Sequence, residues 1–294
     1  MNIENIGVIG FGEVGSTFSN ALAERGARIL VYDSLFEQDA GKRDLASRIR
    51  HDRIELTTLQ EVLARSEMIL AVVTTEVAEA VAKQIAEQLQ PRQLYVDLNS
   101  TSPAVKKRIC CIIEAAGADF VEGAILGAVG ATGAGTCILI AGEKGEEVAR
   151  LLKNLGLNTS FYSVEVGTAS TFKMLRSIFS KGLEALMLEL MIAGKRAGVS
   201  DELWTDVTEF LIENPFDVVA ANWIRTHALA YERRYHEMVQ VVQTIQDLDI
   251  EPIMAAATTA FFKRSLSLDF DQVFKHKPDS YDSVINFMEQ RLVR

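Results

Sequence analysis

One stretch near the start, Ile6-Gly-Val-Ile-Gly-Phe-Gly-Glu-Val-Gly15, restricts the fold more than anything else in the chain. The apolar run Ile6 to Ile9 reads as a buried strand, broken by Gly10-x-Gly12-x-x-Gly15. Beyond it Val14, Phe18, Ala21 and Leu22 recur at helical spacing. A second apolar run, Arg28 to Tyr32, ends on Asp33. Strand, glycine turn, helix, strand and acid, in that order, make a dinucleotide-binding βαβ unit. Each part has a physical task. Gly10 permits the tight turn, Gly12 lets backbone amides approach a pyrophosphate, and Gly15 lets helix and strand pack closely. Phe11, Glu13 and Val14 complete the turn, and the helix start offers unpaired N–H groups to phosphate. Asp33 can accept hydrogen bonds from a ribose. At this point the ligand is a nicotinamide or a flavin dinucleotide.

With 294 residues the chain can build one large domain or two ordinary ones. A net charge of −10 argues against a nucleic-acid surface and against an anionic membrane. No apolar run is long enough to span a bilayer, and the N-terminus enters its first strand without a secretory pattern. Cys110, Cys111 and Cys137 have no metal-ligand spacing, so reduced thiols in the cytoplasm, and no metal, are expected.

To about residue 163, short apolar runs alternate with helical patterns, which predicts a mainly parallel sheet covered on both faces. The runs are Ile54–Leu56, Met68–Val73, Gln93–Leu98, Asp119–Ile125, Thr136–Ala141 and Thr159–Val164. Near residue 165 the pattern turns wholly helical. The segment Thr168 to Ala197 is apolar around most of its circumference and reads as one long buried helix. Further helices are expected over 201–212, 217–230, 234–248, 252–265 and 281–292. The expected organisation is therefore α/β, with a Rossmann-type doubly wound domain over 1–164 and an all-α domain over 165–294.

Ligands of an open parallel sheet bind beyond the carboxyl ends of its strands. Thr74, Thr75, Asn99 and Ser100 follow strands and either line the nicotinamide end of a dinucleotide or simply cap helices. The small-residue loop Gly127 to Gly135 lacks the ending of a phosphate-cradling P-loop. Lys173 lies early in an otherwise apolar helix, with Ser177 one turn later. Desolvated there, it could exchange a proton with a substrate; alternatively, it belongs to the solvated stripe of that helix.

The motif order resembles that of the β-hydroxyacid dehydrogenases, which include 3-hydroxyisobutyrate and 6-phosphogluconate dehydrogenases. Gly10 to Gly15 with Asp33 is similar to the NAD fingerprint of that family, and Asp97-Leu-Asn-Ser-Thr-Ser-Pro103 to its motif beside the nicotinamide. Glu122-Gly-Ala-Ile-Leu-Gly127 stands at the substrate-loop position, with Leu126 where a serine is usual. Gly167-Thr-Ala-Ser-Thr-Phe-Lys173 resembles the segment that carries the catalytic lysine. The usual asparagine one turn later is Ser177, and Arg233-Arg234-x-His236-Glu237-Met238 replaces the usual Lys-Asp-Leu. That replacement resembles the branch with an atypical phosphogluconate-dehydrogenase-like C-terminal domain.

The resemblance implies hydride transfer between nicotinamide and a small, anionic hydroxy acid, with Lys173 as general acid/base. Leu126, Gly127, Ser177, Arg233 and His236 become substrate candidates. NAD is preferred over NADP because Asp33 would repel a 2′-phosphate and no arginine follows it directly. Two alternatives stay open: an imine reductase of similar architecture, and a dinucleotide-binding sensor without catalysis. A homodimer formed through the helical domain is also expected.

Overall fold

The computed structural model describes residues 3–91 and 93–292. The chain divides into two compact units, one ending at Ile178 and the other beginning at Phe179.

In the first unit, β1 (Asn5–Ile9), α1 (Glu13–Glu24), β2 (Arg28–Tyr32), α2 (Asp39–Ser47), β3 (Ile54–Leu56) and α3 (Leu59–Arg65) alternate. They are followed by β4 (Met68–Ala71), α4 (Ala78–Ala86), β5 (Leu94–Asp97), α5 (Pro103–Ala115) and β6 (Asp119–Ile125). A short helix, α6 (Val129–Thr132), leads to β7 (Ile138–Ala141), α7 (Gly145–Asn154) and β8 (Thr159–Ser163). The strands form one sheet in the order β3-β2-β1-β4-β5-β6-β7-β8. Neighbours are parallel except β6 and β7, which pair antiparallel with Gly123 opposite Ile140. The link between those two strands holds the four-residue α6 and a 3-10 turn over Gly133–Gly135, and it returns the chain alongside β6 in the opposite direction.

Period-two alternation divides the strand residues between two cores. Ile6, Val8, Met68, Leu70, Leu94 and Val96 pack with Phe18 and Leu22 of α1 and with Val148 and Leu152 of α7. Ile9, Ile69, Ala71 and Tyr95 pack on the other face with Val62, Ala82, Ile85, Ile109 and Ile113. Helix starts follow local chemistry. Thr58 Oγ1 accepts from Glu61 N to begin α3, and Ser102 with Pro103 begins α5. The order of connections reverses between β1 and β4, which opens a crevice at their carboxyl ends.

From Thr168 onward the described residues contain helices only. They are α8 (Thr168–Ala197), α9 (Ser200–Glu213), α10 (Phe216–Asp247), α11 (Ile253–Ser265), α12 (Phe270–Val273) and α13 (Tyr281–Leu292). The helical unit centres on Ala228, Tyr231, Leu268, Phe270, Val284 and Phe287, with the Phe270 and Phe287 rings 4.7 Å apart. Two expectations need correction. The helices expected over 217–230 and 234–248 are one continuous 32-residue helix, α10. No glycine or proline interrupts it, and Ala228 and Tyr231 carry its buried seam through the expected gap. Helix α8 has the expected span but is not buried: Leu175 is 62% exposed, Ile178 73% and Leu188 58%. A helix that is apolar nearly all round needs cover on every side, and within the single chain these side chains lack it. No helix among the described residues is long and apolar enough to cross a membrane.

Candidate active site

Strand β1 ends in a turn that only glycine can make. Gly10 has φ +98°, and a Cβ there would stand 2.3 Å from the Val72 carbonyl oxygen. A Cβ on Gly15 would stand 2.0 Å from the Gly10 carbonyl oxygen, so α1 rests directly on the turn. Gly12 differs: a Cβ there would meet nothing within 4 Å. It is the N-cap of α1 and offers no side-chain acceptor, so the first N–H groups of the helix are left to a ligand. That open, donor-lined space is what a pyrophosphate requires.

The crevice beyond β1, β2, β4 and β5 is a cleft of about 1000 Å³. Gly10, Gly12, Glu13, Val14, Asp33, Thr74, Thr75, Asn99 and Ser100, all singled out by sequence, line it. Gly15 does not, because it packs beneath the turn. Phe11 is fully buried, and its N–H donates to Asp33 Oδ2 at 2.8 Å, so it shapes the turn rather than facing a ligand. Asp33 Oδ1 accepts a second backbone bond from Leu35 N, at 3.0 Å. Each oxygen keeps a lone pair for a ribose hydroxyl. The charged residues lining the cleft are Glu13, Asp33 and Glu76, with no Lys or Arg among the described lining.

At the far end, Asn99 joins two strand ends. Its Oδ1 accepts from Val73 N at 2.7 Å, and its own N–H donates to Asp97 Oδ1 at 2.9 Å. The buried Asn99 Nδ2 has no hydrogen-bond partner among the described residues, so a donor is free in a cleft-lining side chain. Thr75 Oγ1 donates to the Ser100 carbonyl at 3.2 Å and tightens the same corner.

Lys173 reaches this corner from α8. Its Nζ donates to Ser100 Oγ at 2.5 Å. The start of α8 is fixed by Glu122, which is fully buried on β6. Glu122 Oε1 accepts from Ala169 N at 2.8 Å and from Ser170 N, while Oε2 accepts from Ser170 Oγ. A carboxylate at a helix N-terminus meets both the free N–H groups and the favourable end of the dipole. Lys173, one turn on, is thereby aimed at Ser100. Partial burial pulls its proton affinity down to a pKa of about 8, and the positive charge of Lys106 adds to the shift.

Leu126 is half-buried and Gly127 exposed, and neither lines the cleft, whereas their neighbour Ile125 does. The Ser177 hydroxyl is taken by the Lys173 carbonyl, at 2.9 Å. In the helical unit, exposed Arg233 is bonded to Glu237, and the His236 ring lies edge-on against Tyr235. Sequence reasoning missed Glu122 as the residue that seats α8, and it missed the buried pair Lys106–Asp97. Both left a signal. Glu122 interrupts an apolar strand, and Lys106 sits on the same helical stripe as Ile109, Cys110 and Ile113.

Comparison with known proteins agrees with this geometry. Residues 5–163 match the NAD binding domain of 6-phosphogluconate dehydrogenase, and residues 195–265 match a domain of unknown function, DUF1932. The human mitochondrial 3-hydroxyisobutyrate dehydrogenase is 25% identical over 209 residues, 67% of this chain and 59% of that protein. A conserved hypothetical protein from Sinorhizobium meliloti 1021 has a solved structure with 28% identity and a TM-score of 0.61, covering 99% of this chain and 97% of that one. An imine reductase variant from Myxococcus stipitatus, in complex with NAD+, shares the fold at 20% identity and a TM-score of 0.74, over 98% of this chain and 100% of that one. The chain belongs to the 6-phosphogluconate dehydrogenase-like NAD(P)-binding oxidoreductases, in the branch that carries a DUF1932 domain and is homologous to the 3-hydroxyisobutyrate dehydrogenases.

Proposed function

We propose that this protein is an NAD-dependent dehydrogenase of a small, anionic hydroxy acid, with Lys173 as its general acid/base. One observation carries the reading. A lysine amine of lowered proton affinity is held at Ser100, on the rim of a cleft whose glycine turn fits a pyrophosphate. Bound NAD would supply the hydride acceptor. Gly12 and the first N–H groups of α1 would hold its pyrophosphate, and Asp33 its adenosine ribose. The acidic lining favours NAD over NADP, because a 2′-phosphate there would meet Asp33 and no cation.

In the oxidative direction the neutral Lys173 amine accepts the proton of the substrate hydroxyl as the carbinol hydrogen leaves as hydride. With a pKa of about 8, about a tenth of the amine is neutral at pH 7. Ser100 orients the amine, and Asn99 Nδ2 is free to donate to cofactor or substrate. A homodimer formed through the helical unit is part of this reading, supported by the uncovered apolar side chains of α8.

The decisive experiment is a panel of hydroxy acids with NAD, followed by NADH absorbance, on the unaltered protein and on Lys173→Ala. The variant should lose about 10²–10⁴-fold in turnover while still binding NADH. Full activity in Lys173→Ala sinks the mechanism. For oxidation, kcat/KM should rise with pH and level off above about 8, since only the neutral amine accepts a proton. A second reading, reduction of C=N bonds, is supported by the likeness in fold to the imine reductase and by the lack of polar side chains over residues 125–131. Turnover of cyclic imines but not of keto acids would select it. Tight NADH binding without turnover on either panel would select a sensor.

A further inference from the structure

Two charged side chains at the site are almost completely hidden and are paired with each other. Lys106 on α5 is 1% exposed and Asp97 at the end of β5 is not exposed at all. Lys106 Nζ donates to the Asp97 carbonyl at 2.7 Å and lies 3.1 Å from Asp97 Oδ1. That same Oδ1 accepts from Asn99 N, and Asn99 Oδ1 holds Val73 N. The next residue is Ser100, which receives the Lys173 amine. A buried ion pair is a poor way to gain stability, because removing two charges from water costs about as much as their attraction returns. Its position on the strand end that carries Ser100 gives it another use.

We propose that the Lys106–Asp97 pair positions and tunes Lys173. The pair pins the turn that presents Ser100, and its two opposite charges set how readily the Lys173 amine takes up a proton. The inference rests on the reading of Lys173 as acid/base. The neighbouring elements carry three further charged groups near this part of the chain. Glu122 on β6 is bound to the first turn of α8, Lys107 on α5 pairs with Glu165 at 3.7 Å, and Arg176 on α8 is exposed. The positive charge of Lys106 acts on Lys173 in the same direction as burial. Asp97 offsets part of that charge.

A substrate-free measurement tests this. Protein labelled with [6-¹³C]lysine reports each amine through its Cε resonance, and Lys173→Arg assigns the Lys173 signal. The unaltered protein should titrate near pH 8. Lys106→Met removes the cation and should raise the Lys173 midpoint by about one unit, a tenfold gain in proton affinity. Asp97→Asn removes the anion and should lower the midpoint. Shifts of opposite sign are something a merely structural role would not produce. Shifts in the same direction, or none, overturn the proposal. If Lys106→Met does not fold, Lys106→Gln, which keeps a donor for the Asp97 carbonyl, is read in its place: a raised Lys173 midpoint supports the proposal, and an unchanged or lowered one overturns it. These outcomes are independent of turnover. An active Lys173→Ala would sink the proposed mechanism while leaving the two shifts to be read on their own.

Discussion

The sheet unit and the helical unit solve the burial problem in different ways. In the sheet unit the central strands are closed on both faces, and Met68 to Ala71 are entirely hidden. Several of its buried polar groups are wired into named partners: Gln93 Nε2 bonds to two carbonyls, Glu122 seats α8, and Lys106 meets Asp97. The helical unit relies on a few rings. His227 lies among Tyr231, Phe261, Phe262 and Phe270, with one hydrogen bond, to Ser265 Oγ, and burial pulls its pKa down to about 4. Around that small centre Trp204, Ile212, Val218 and Ile253 stay more than half exposed. The sheet unit covers its central strands by itself, although Tyr162 and the side chains at the start of α8, such as Leu175, stay exposed. The helical unit leaves large apolar side chains exposed on several helices.

The sharpest way to break this contrast is to remove the ring at the middle of the helical unit. Phe270→Ala should cost about 3–5 kcal/mol. Thermal unfolding followed by circular dichroism should then show an early transition, with NADH binding retained below it. A single transition that abolishes NADH binding would mean the units do not respond separately. Gly15→Ala tests the other side. Its Cβ would collide with backbone rather than with a movable side chain, so about 1–3 kcal/mol of strain should fall on the turn and weaken NADH binding. Unchanged affinity would show that the close contact of α1 with the turn is not needed. The smallest effect on stability is expected at Ile212, which is 82% exposed. Ile212→Glu should change the melting temperature of dilute protein little, within about 0.5 kcal/mol. Sedimentation at increasing concentration should show weaker self-association if that face is covered by a second copy, and identical profiles would argue that it is not.

Most of the sheet unit was legible because its signals are local. A glycine turn, an acid after the second strand and period-two apolar runs are read from neighbouring residues, and the turn and the alternation are enforced by backbone sterics. Lys173 was legible as an oddity, a cation in an apolar helix. What it touches was not: Ser100 lies 73 residues earlier, and only the sheet order brings the two together. The same holds for Glu122 and the start of α8, whose bond spans 47 residues. The reading failed most plainly on α8. Periodicity says that a helix face is apolar but not what lies against it, so burial was inferred where the single chain leaves exposure. The break expected inside α10 failed for a related reason. A stretch as polar as Glu232-Arg-Arg234 suggests a loop, but without a glycine or proline nothing stops the helix.

Asp33 has two employers. It sits where a ribose hydroxyl would be recognised, yet it also holds the Phe11 and Leu35 amides and thereby props the phosphate turn from behind. On the proposed binding mode, coenzyme choice and turn shape would be mechanically coupled through one carboxylate. Replacing it would remove the acceptor of the Phe11 and Leu35 amides, so on that binding mode a change toward the phosphorylated coenzyme would also have to rebuild the prop behind the glycine turn. In this fold, preference is inherited together with posture.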